Sequence, residues 1–288
     1  MAIHQTEFVY EPFADTEEYR DVNTDIVRGW IDSMVEKGNK EIDRLLDIAT
    51  GIGTMVHIFV ENLPKHWHTP TVVCLDQSGD ALQQAKLNLE SKVQSLELIH
   101  CPAEEMALPD ESVDVALWGN GIHYLEAESQ ERVLASLRQA LRKGGWLLFN
   151  TAFYAESRPP ETIPFYRAQV RRAVEYLKSK GIRREQMDGR PSASNFLSRD
   201  HYETLLQKVG FKVEEVKESA VRIRTLAMEH ISGFQQYAAG ALHGYNPQAA
   251  TEAMRLAVAP AMERHGQPDE DGVLAIKRNW LAVSARVV

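Results

Sequence analysis

Residues 45–54 read Leu-Leu-Asp-Ile-Ala-Thr-Gly-Ile-Gly-Thr, and no other stretch constrains the fold as tightly. An apolar run, Leu45, Leu46 and Ile48, carries Asp47 and breaks into a loop holding Gly51 and Gly53. A helix-competent apolar segment, 55–63, follows at once. A short apolar run bounded by glycine is the profile of a buried parallel strand. Its sharp turn into a helix puts glycines where the backbone is strained or closely approached. Two loop glycines alone are a weak signal, because many proteins carry them.

A second acid strengthens it. Asp76 closes the next apolar run, Thr71-Val-Val-Cys-Leu-Asp76. It lies roughly 20 residues beyond the loop, where nucleoside-binding α/β folds place a carboxylate for ribose hydroxyls. A dinucleotide-binding loop is the rival reading. It prefers glycine where Ala49 stands and a third glycine shortly after Gly53, and the chain supplies neither.

With these residues in place the chain resembles the class I S-adenosylmethionine-dependent methyltransferases, and its loop is closest to the version found in quinone-biosynthesis and many small-molecule enzymes. The resemblance implies an α/β, Rossmann-like, seven-stranded and mostly parallel sheet, with helices on both faces and helical lid insertions. It implies S-adenosyl-L-methionine as cofactor, S-adenosyl-L-homocysteine as product, and a transferase of class EC 2.1.1. Asp47 then supports the loop beside the methionine part of the cofactor. Ala49, Thr50, Gly51 and Gly53 let that part pass along the backbone, and Asp76 takes the ribose. Gln77, Ala103 and Glu104 border the adenine. Pro102 stands where the family's usual adenine-contacting Asp falls, so Glu104 is the replacement acceptor and the Ala103 N–H a second contact. The block Trp118-Gly-Asn-Gly-Ile-His-Tyr124 matches the segment after the fourth strand. It contributes Trp118 and Asn120 to the cofactor side, with His123 and Tyr124 as catalytic candidates. A histidine suits a general base for a hydroxyl acceptor, since its ordinary pKa lies near neutrality; packing behind the cofactor is the alternative.

The alternation of elements gives the layout. Strands are expected at 96–100, 113–118 and 146–150, and helices at 78–89 and 129–141, the latter stopping at Lys143-Gly-Gly145. A helix over 198–209 leads to a strand over 211–216, and 280–287 forms the last strand, antiparallel by resemblance. One domain over 1–288 is expected: an N-terminal cap (1–40), a cofactor-binding core (41–151), and two acceptor-site lids (152–197 and 225–272). Aromatic faces favour a sulfonium cation, which makes Tyr10, Phe13 and Tyr19 candidates to close over it. Helix 165–178 aligns Tyr166, Val170, Ala173, Val174 and Leu177 on one face. Tyr166 and Val170, with Phe234, Tyr237 and His243 of the second insertion, are the expected acceptor-lining residues.

Composition narrows the acceptor. A net charge of −9 disfavours nucleic acid. An apolar share of 44% and a charged share of 25% are those of a soluble globular protein. No run approaches the roughly 20 apolar residues of a membrane span, and the first residues lack the layout of a secretory signal. Cys74 and Cys101 are expected reduced, in the cytoplasm, and no metal site is expected. The expected substrate is a small hydrophobic or amphipathic metabolite of biosynthetic or secondary metabolism, methylated on O, N or, less readily, C. A homodimer stays open. Cofactor binding without transfer, as in a cyclase, and a protein or RNA substrate remain the competing readings.

Overall fold

Strands of four to six apolar residues with no polar alternation can only be satisfied inside a sheet covered on both faces, and that is where they lie. The computed structural model describes residues 11–185 and 196–288; Tyr10 lies outside them. In chain order the elements are α1 (Glu11–Ala14), α2 (Glu17–Glu36), β1 (Arg44–Ile48), α3 (Thr54–Glu61), β2 (Thr71–Asp76), α4 (Gly79–Leu89) and β3 (Ser95–His100). Then come β4 (Val113–Gly119), α5 (Ala127–Ala140), β5 (Leu141–Thr151), α6 (Ile163–Ser179), α7 (Arg199–Lys208) and β6 (Phe211–Arg224). Four helices follow, α8 (Thr225–Ser232), α9 (Gln235–Ala241), α10 (Pro247–Leu256) and α11 (Val258–His265), before β7 (Gln267–Pro268) and β8 (Leu274–Val287).

The strand order is β3-β2-β1-β4-β5-β8-β6, with the two-residue β7 paired to β8 off this path. Pairs β1–β2, β1–β4, β2–β3 and β4–β5 are parallel, and β5–β8 is antiparallel. The expected mostly parallel, Rossmann-like sheet is therefore present, and the eighth, very short strand is an addition to it. The order reverses between β1 and β4, so the loops after these strands diverge and leave a crevice at their carboxyl ends.

Successive side chains of a strand face opposite ways. Leu46, Ile48, Ala116, Trp118, Leu147 and Phe149 pack with Leu134 and Leu137 of α5 and with Tyr202 and Leu206 of α7. The opposite face carries Trp146 and Asn150, which are tied to residues on and just after α2. Trp146 Nε1 donates to Asn39 Oδ1 at 2.9 Å, and Asn150 Nδ2 donates to Asn23 Oδ1 at 2.6 Å.

By contact the chain divides into two compact units. One holds the described part of Met1–Arg20 with Glu156–Phe196 and Ala220–Asn279; the other holds Asp21–Ala155, Leu197–Ser219 and Trp280–Val288. The two inserted segments and the first residues thus fall in the first unit, and the cofactor-loop sequence falls in the second.

Four expectations are corrected. Lys143-Gly-Gly145 does not stop a helix: α5 ends at Ala140 and the chain is already in β5 at Leu141. The ladder shifts there, Val113 pairing Leu141 and Val115 pairing Trp146. Gly145 is required at this bulge because a Cβ would lie 2.8 Å from the Arg142 carbonyl oxygen and 3.1 Å from that of Asp114. Strand β6 continues past residue 216 to Arg224, and β8 begins at Leu274 rather than at 280. The buried face of α6 is centred on Phe165, Gln169 and Ala173, leaving Val170 and Val174 half-buried. Gln169 is a buried polar residue in the middle of that face; its Nε2 donates to Ser232 Oγ at 2.8 Å and to the Met254 carbonyl at 3.2 Å.

Candidate functional site

The turn from β1 to α3 is built from residues that few side chains could replace. Ala49 takes φ 52°, Gly51 φ 54° and Gly53 φ 85°. A Cβ on Gly53 would lie 2.5 Å from Leu89 Cδ1, whereas one on Gly51 would meet nothing within 4 Å. Gly53 is called for by its left-handed backbone, with the Leu89 side chain crowding the same spot. Gly51 leaves open space beside the backbone. Gly53 also caps α3 with no side-chain hydrogen bond, so the first-turn N–H groups of that helix are available to an anionic group.

Two carboxylates hold this loop from behind. Asp47, 1% exposed at the end of β1, accepts from Thr50 Oγ1 at 2.5 Å through Oδ2. Its Oδ1 is buried with no hydrogen-bond partner among the described residues. Burial pushes the Asp47 carboxyl up to about 7; the Thr50 hydroxyl opposes the rise and the Asp76 charge adds to it. Asp76, at the end of β2, accepts from the N–H of Gly51 at 2.8 Å through Oδ2 and from the N–H of Ser78 at 2.8 Å through Oδ1. A carboxylate has about four acceptor positions, so two lone pairs remain for other donors.

The end of β4 closes in from the side. Asn120 takes φ 49°, a left-handed backbone that asparagine tolerates better than most residues. Its N–H donates to the Asn150 carbonyl at 3.0 Å, and its Oδ1 accepts from Ala152 N at 2.8 Å. Its Nδ2 is buried and has no partner among the described residues. A Cβ on Gly121 would lie 2.4 Å from Trp118 Nε1 and 3.1 Å from Ala49 Cβ, and one on Gly119 would lie 2.4 Å from Met55 Cγ. His123 is 2% exposed. Its Nδ1 is 3.1 Å from Thr151 Oγ1, and its ring stacks on Phe153 at 4.4 Å and lies 4.0 Å from that of Tyr124.

Asp47, Thr50, Gly51 and Asp76 are thus joined by hydrogen bonds, and Ala49 is brought against the Gly121 turn. Trp118 instead turns into the sheet core beside Leu134 and Phe149. Gln77 and Glu104 are exposed, and Ala103 is half-buried in a short 3-10 turn, Ala103–Glu105. In the other unit, Phe13 and Tyr19 are buried edge-to-face with ring centres 5.5 Å apart. Tyr166 and Tyr237 are buried there, and Val170, Phe234 and His243 are half-buried. Sequence reasoning missed Asn23, Thr151 and Phe153, since hydrogen bonds over such separations leave no local pattern. It passed over Arg158 as part of a proline loop. Among the described residues no group of His, Cys, Asp and Glu could hold a metal ion, and no helix is long and apolar enough to cross a membrane.

These features fit an adenosyl amino acid: an acid for ribose hydroxyls, an open glycine backbone, an uncapped helix start and an orphaned carboxylate oxygen. Residues 46–149 match a family model described as a methyltransferase domain. That segment spans β1 to β5, and with the sheet order above it gives the chain the fold of the class I S-adenosylmethionine-dependent methyltransferases. Among solved structures, it is similar to a protein described as a methyltransferase from Bacillus halodurans, with 16% identity, a TM-score of 0.54, and coverage of 89% of this chain and 97% of that one. A protein described as a sarcosine dimethylglycine methyltransferase from Galdieria sulphuraria gives 13% identity and a TM-score of 0.52, covering 97% and 93%. The [4+2]-cyclase SpnF gives 14% identity and a TM-score of 0.50, covering 90% and 80%. At these identities the likeness is one of fold. No curated protein matches the chain in sequence.

Proposed function

We propose that the protein transfers the methyl group of S-adenosylmethionine to a small hydrophobic or amphipathic metabolite, on oxygen or nitrogen and less readily on carbon, in cytoplasmic biosynthetic or secondary metabolism. The observation that carries this reading is the hydrogen-bonded set Asp47–Thr50 and Gly51–Asp76–Ser78 at the β1–β4 crevice. S-Adenosylmethionine supplies a methyl group on a sulfonium, a good leaving group, so the protein has mainly to align the acceptor and exclude water.

In this reading Asp76 holds the ribose, Gly51 and Gly53 the methionine part, and Asp47 the charge beside it. His123 serves as base if the acceptor is a hydroxyl, with Thr151 and Phe153 fixing its ring and Tyr124 placing the acceptor. The segments within Glu156–Phe196 and Ala220–Asn279, rich in buried aromatics, form the acceptor-binding part. The net charge of −9 favours a small molecule over RNA.

Incubation of the purified protein with methyl-labelled cofactor and a panel of phenols, amines and carboxylic acids tests the reading. Label in a small molecule supports it. The fold also carries a protein named as a [4+2]-cyclase, which makes binding without transfer the second reading. Acceptor turnover without label would select that one, and label found only in RNA or protein would remove the small-molecule assignment.

A further inference from the structure

Arg158, in the first unit, has no counter-charge among the described residues. It is half-buried, and its guanidinium carbon lies 4.8 Å from the ring centre of Tyr166 and 4.8 Å from that of Phe196. Its Nε is buried without a hydrogen-bond partner, and no carboxylate among the described residues pairs with it. The charged neighbour is another cation. Arg278, 5% exposed, donates through Nη1 to Tyr166 Oη at 3.0 Å, and its guanidinium carbon lies 5.9 Å from the same ring. Burial lowers the Arg158 pKa, and the repulsion of Arg278 lowers it further against the pull of Tyr237 and Tyr166. Burial also pushes the Tyr237 phenol up, so it stays protonated and supplies a donor rather than a negative charge.

Aromatic faces hold a guanidinium flat and soften its desolvation, but they do not neutralise it. Taking part of an unpaired charge out of water is costly, and such sites persist where something else brings the opposite sign. A planar fork with donors to spare is the usual partner of a carboxylate or phosphate, which it grips by two parallel hydrogen bonds. The surrounding rings suit a flat, apolar body behind that group.

We propose that Arg158, framed by Tyr166, Phe196 and Tyr237, binds an oxyanion carried on an aromatic or similarly flat methyl acceptor; this rests on reading the inserted segments as acceptor-binding. The acceptor is then amphipathic with a definite sign: an organic acid or a phosphate ester rather than a neutral or cationic molecule.

Calorimetric titration of the full chain with benzoate, phenyl phosphate and neutral benzamide tests this, with S-adenosylhomocysteine titrated in parallel. The parent is expected to prefer one of the anions over benzamide by about tenfold or more, and which one separates carboxylate from phosphate. Arg158→Met is expected to erase that preference. Arg158→Lys, which keeps the charge without the fork, is expected to fall between. Affinity for S-adenosylhomocysteine should be unchanged in both. No anion preference in the parent, or its survival in Arg158→Met, would overturn the proposal. If Arg158→Met lacks a cooperative melt, parent-like anion binding by Arg158→Lys overturns it and weakened binding supports it. Failure of the parent to bind S-adenosylhomocysteine would instead sink the methyltransferase reading, and leave the anion result to be judged on its own.

Discussion

The Asp76 carboxylate holds the N–H of Gly51 at 2.8 Å, so the acid at the end of β2 is part of the loop after β1 and not merely opposite it. Replacing Asp76 should therefore act twice, on the loop's shape and on the ribose. Asp76→Asn keeps an acceptor for Gly51, while Asp76→Ala keeps none. Asp76→Asn is expected to weaken S-adenosylhomocysteine binding by roughly 1.5–3 kcal/mol, as for loss of a charged hydrogen-bond acceptor, and Asp76→Ala by more. Calorimetry that finds the two variants equal to the parent would remove the ribose role.

Asp47 gives the site a pH dependence. Its folded-state pKa, raised from 3.8 to about 7 mainly by burial, means the folded chain keeps a proton that the unfolded chain has lost across that window. The group's contribution to stability therefore declines as pH rises from about 4 to about 7. An ammonium group placed beside Asp47 favours its charged form, so cofactor binding near neutrality should release protons and tighten as pH rises. Calorimetry in buffers of different ionisation enthalpy reads the release directly. Asp47→Asn should abolish it, and a parent enthalpy that ignores the buffer would refute the assignment.

Stability should respond to pH in the opposite sense at Glu214. Its side chain is 6% exposed and meets Arg286 at 2.9 Å, Lys212 at 3.1 Å and Lys37 at 3.5 Å. Burial acts to raise its pKa, but Arg286 and Lys212 outweigh it and hold the carboxyl below its ordinary value. That stabilisation is complete above the unfolded value of about 4.3 and is lost as pH falls through the folded one. Glu214→Gln should lower urea stability at neutral pH by on the order of 2 kcal/mol and flatten the acid limb of the profile. Parallel parent and variant curves below pH about 4.5 would argue against it.

The two thiols should behave differently. Cys74 is fully buried in β2, and burial with the nearby Asp47 charge pushes its thiol up to about 12. Cys101 is half-buried just after the end of β3. Maleimide should modify Cys101 in the folded protein, and Cys74 only on unfolding. Mass spectrometry of Cys101→Ser would reveal any native labelling of Cys74, an outcome at odds with a sheet covered on both faces.

Much of this architecture was legible because its signals are local. The apolar runs of β1 and β2, the glycine loop and the acids near both strand ends each lie within a few residues of chain, and the strands form where expected; the bond from Gly51 to Asp76 was not foreseen. The Lys143-Gly-Gly145 stop misled because glycine after an amphipathic helix and glycine in a bulge look alike in one dimension. Only the Arg142 and Asp114 carbonyls distinguish them. The end of β6 was hidden because Lys217, Glu218 and Ala220 are exposed, so no buried alternation marks the strand. Asn23 and Asn150 are 127 residues apart, and Trp118 reads as a cofactor neighbour by position although its side chain faces the core. Arg158 was invisible for a simpler reason: an arginine beside two prolines looks like any surface loop.

Ala49 and Gly121 share one small volume at the strand ends, with Ala49 in a left-handed backbone and its Cβ 3.1 Å from where any side chain at 121 would begin. In the landscape of viable sequences these two positions therefore behave as one locus. Growth at either consumes the room of the other, and Trp118 blocks the detour. A lineage that enlarged one of them would have to rebuild the mouth of the crevice first, so this corner of the fold cannot drift one residue at a time.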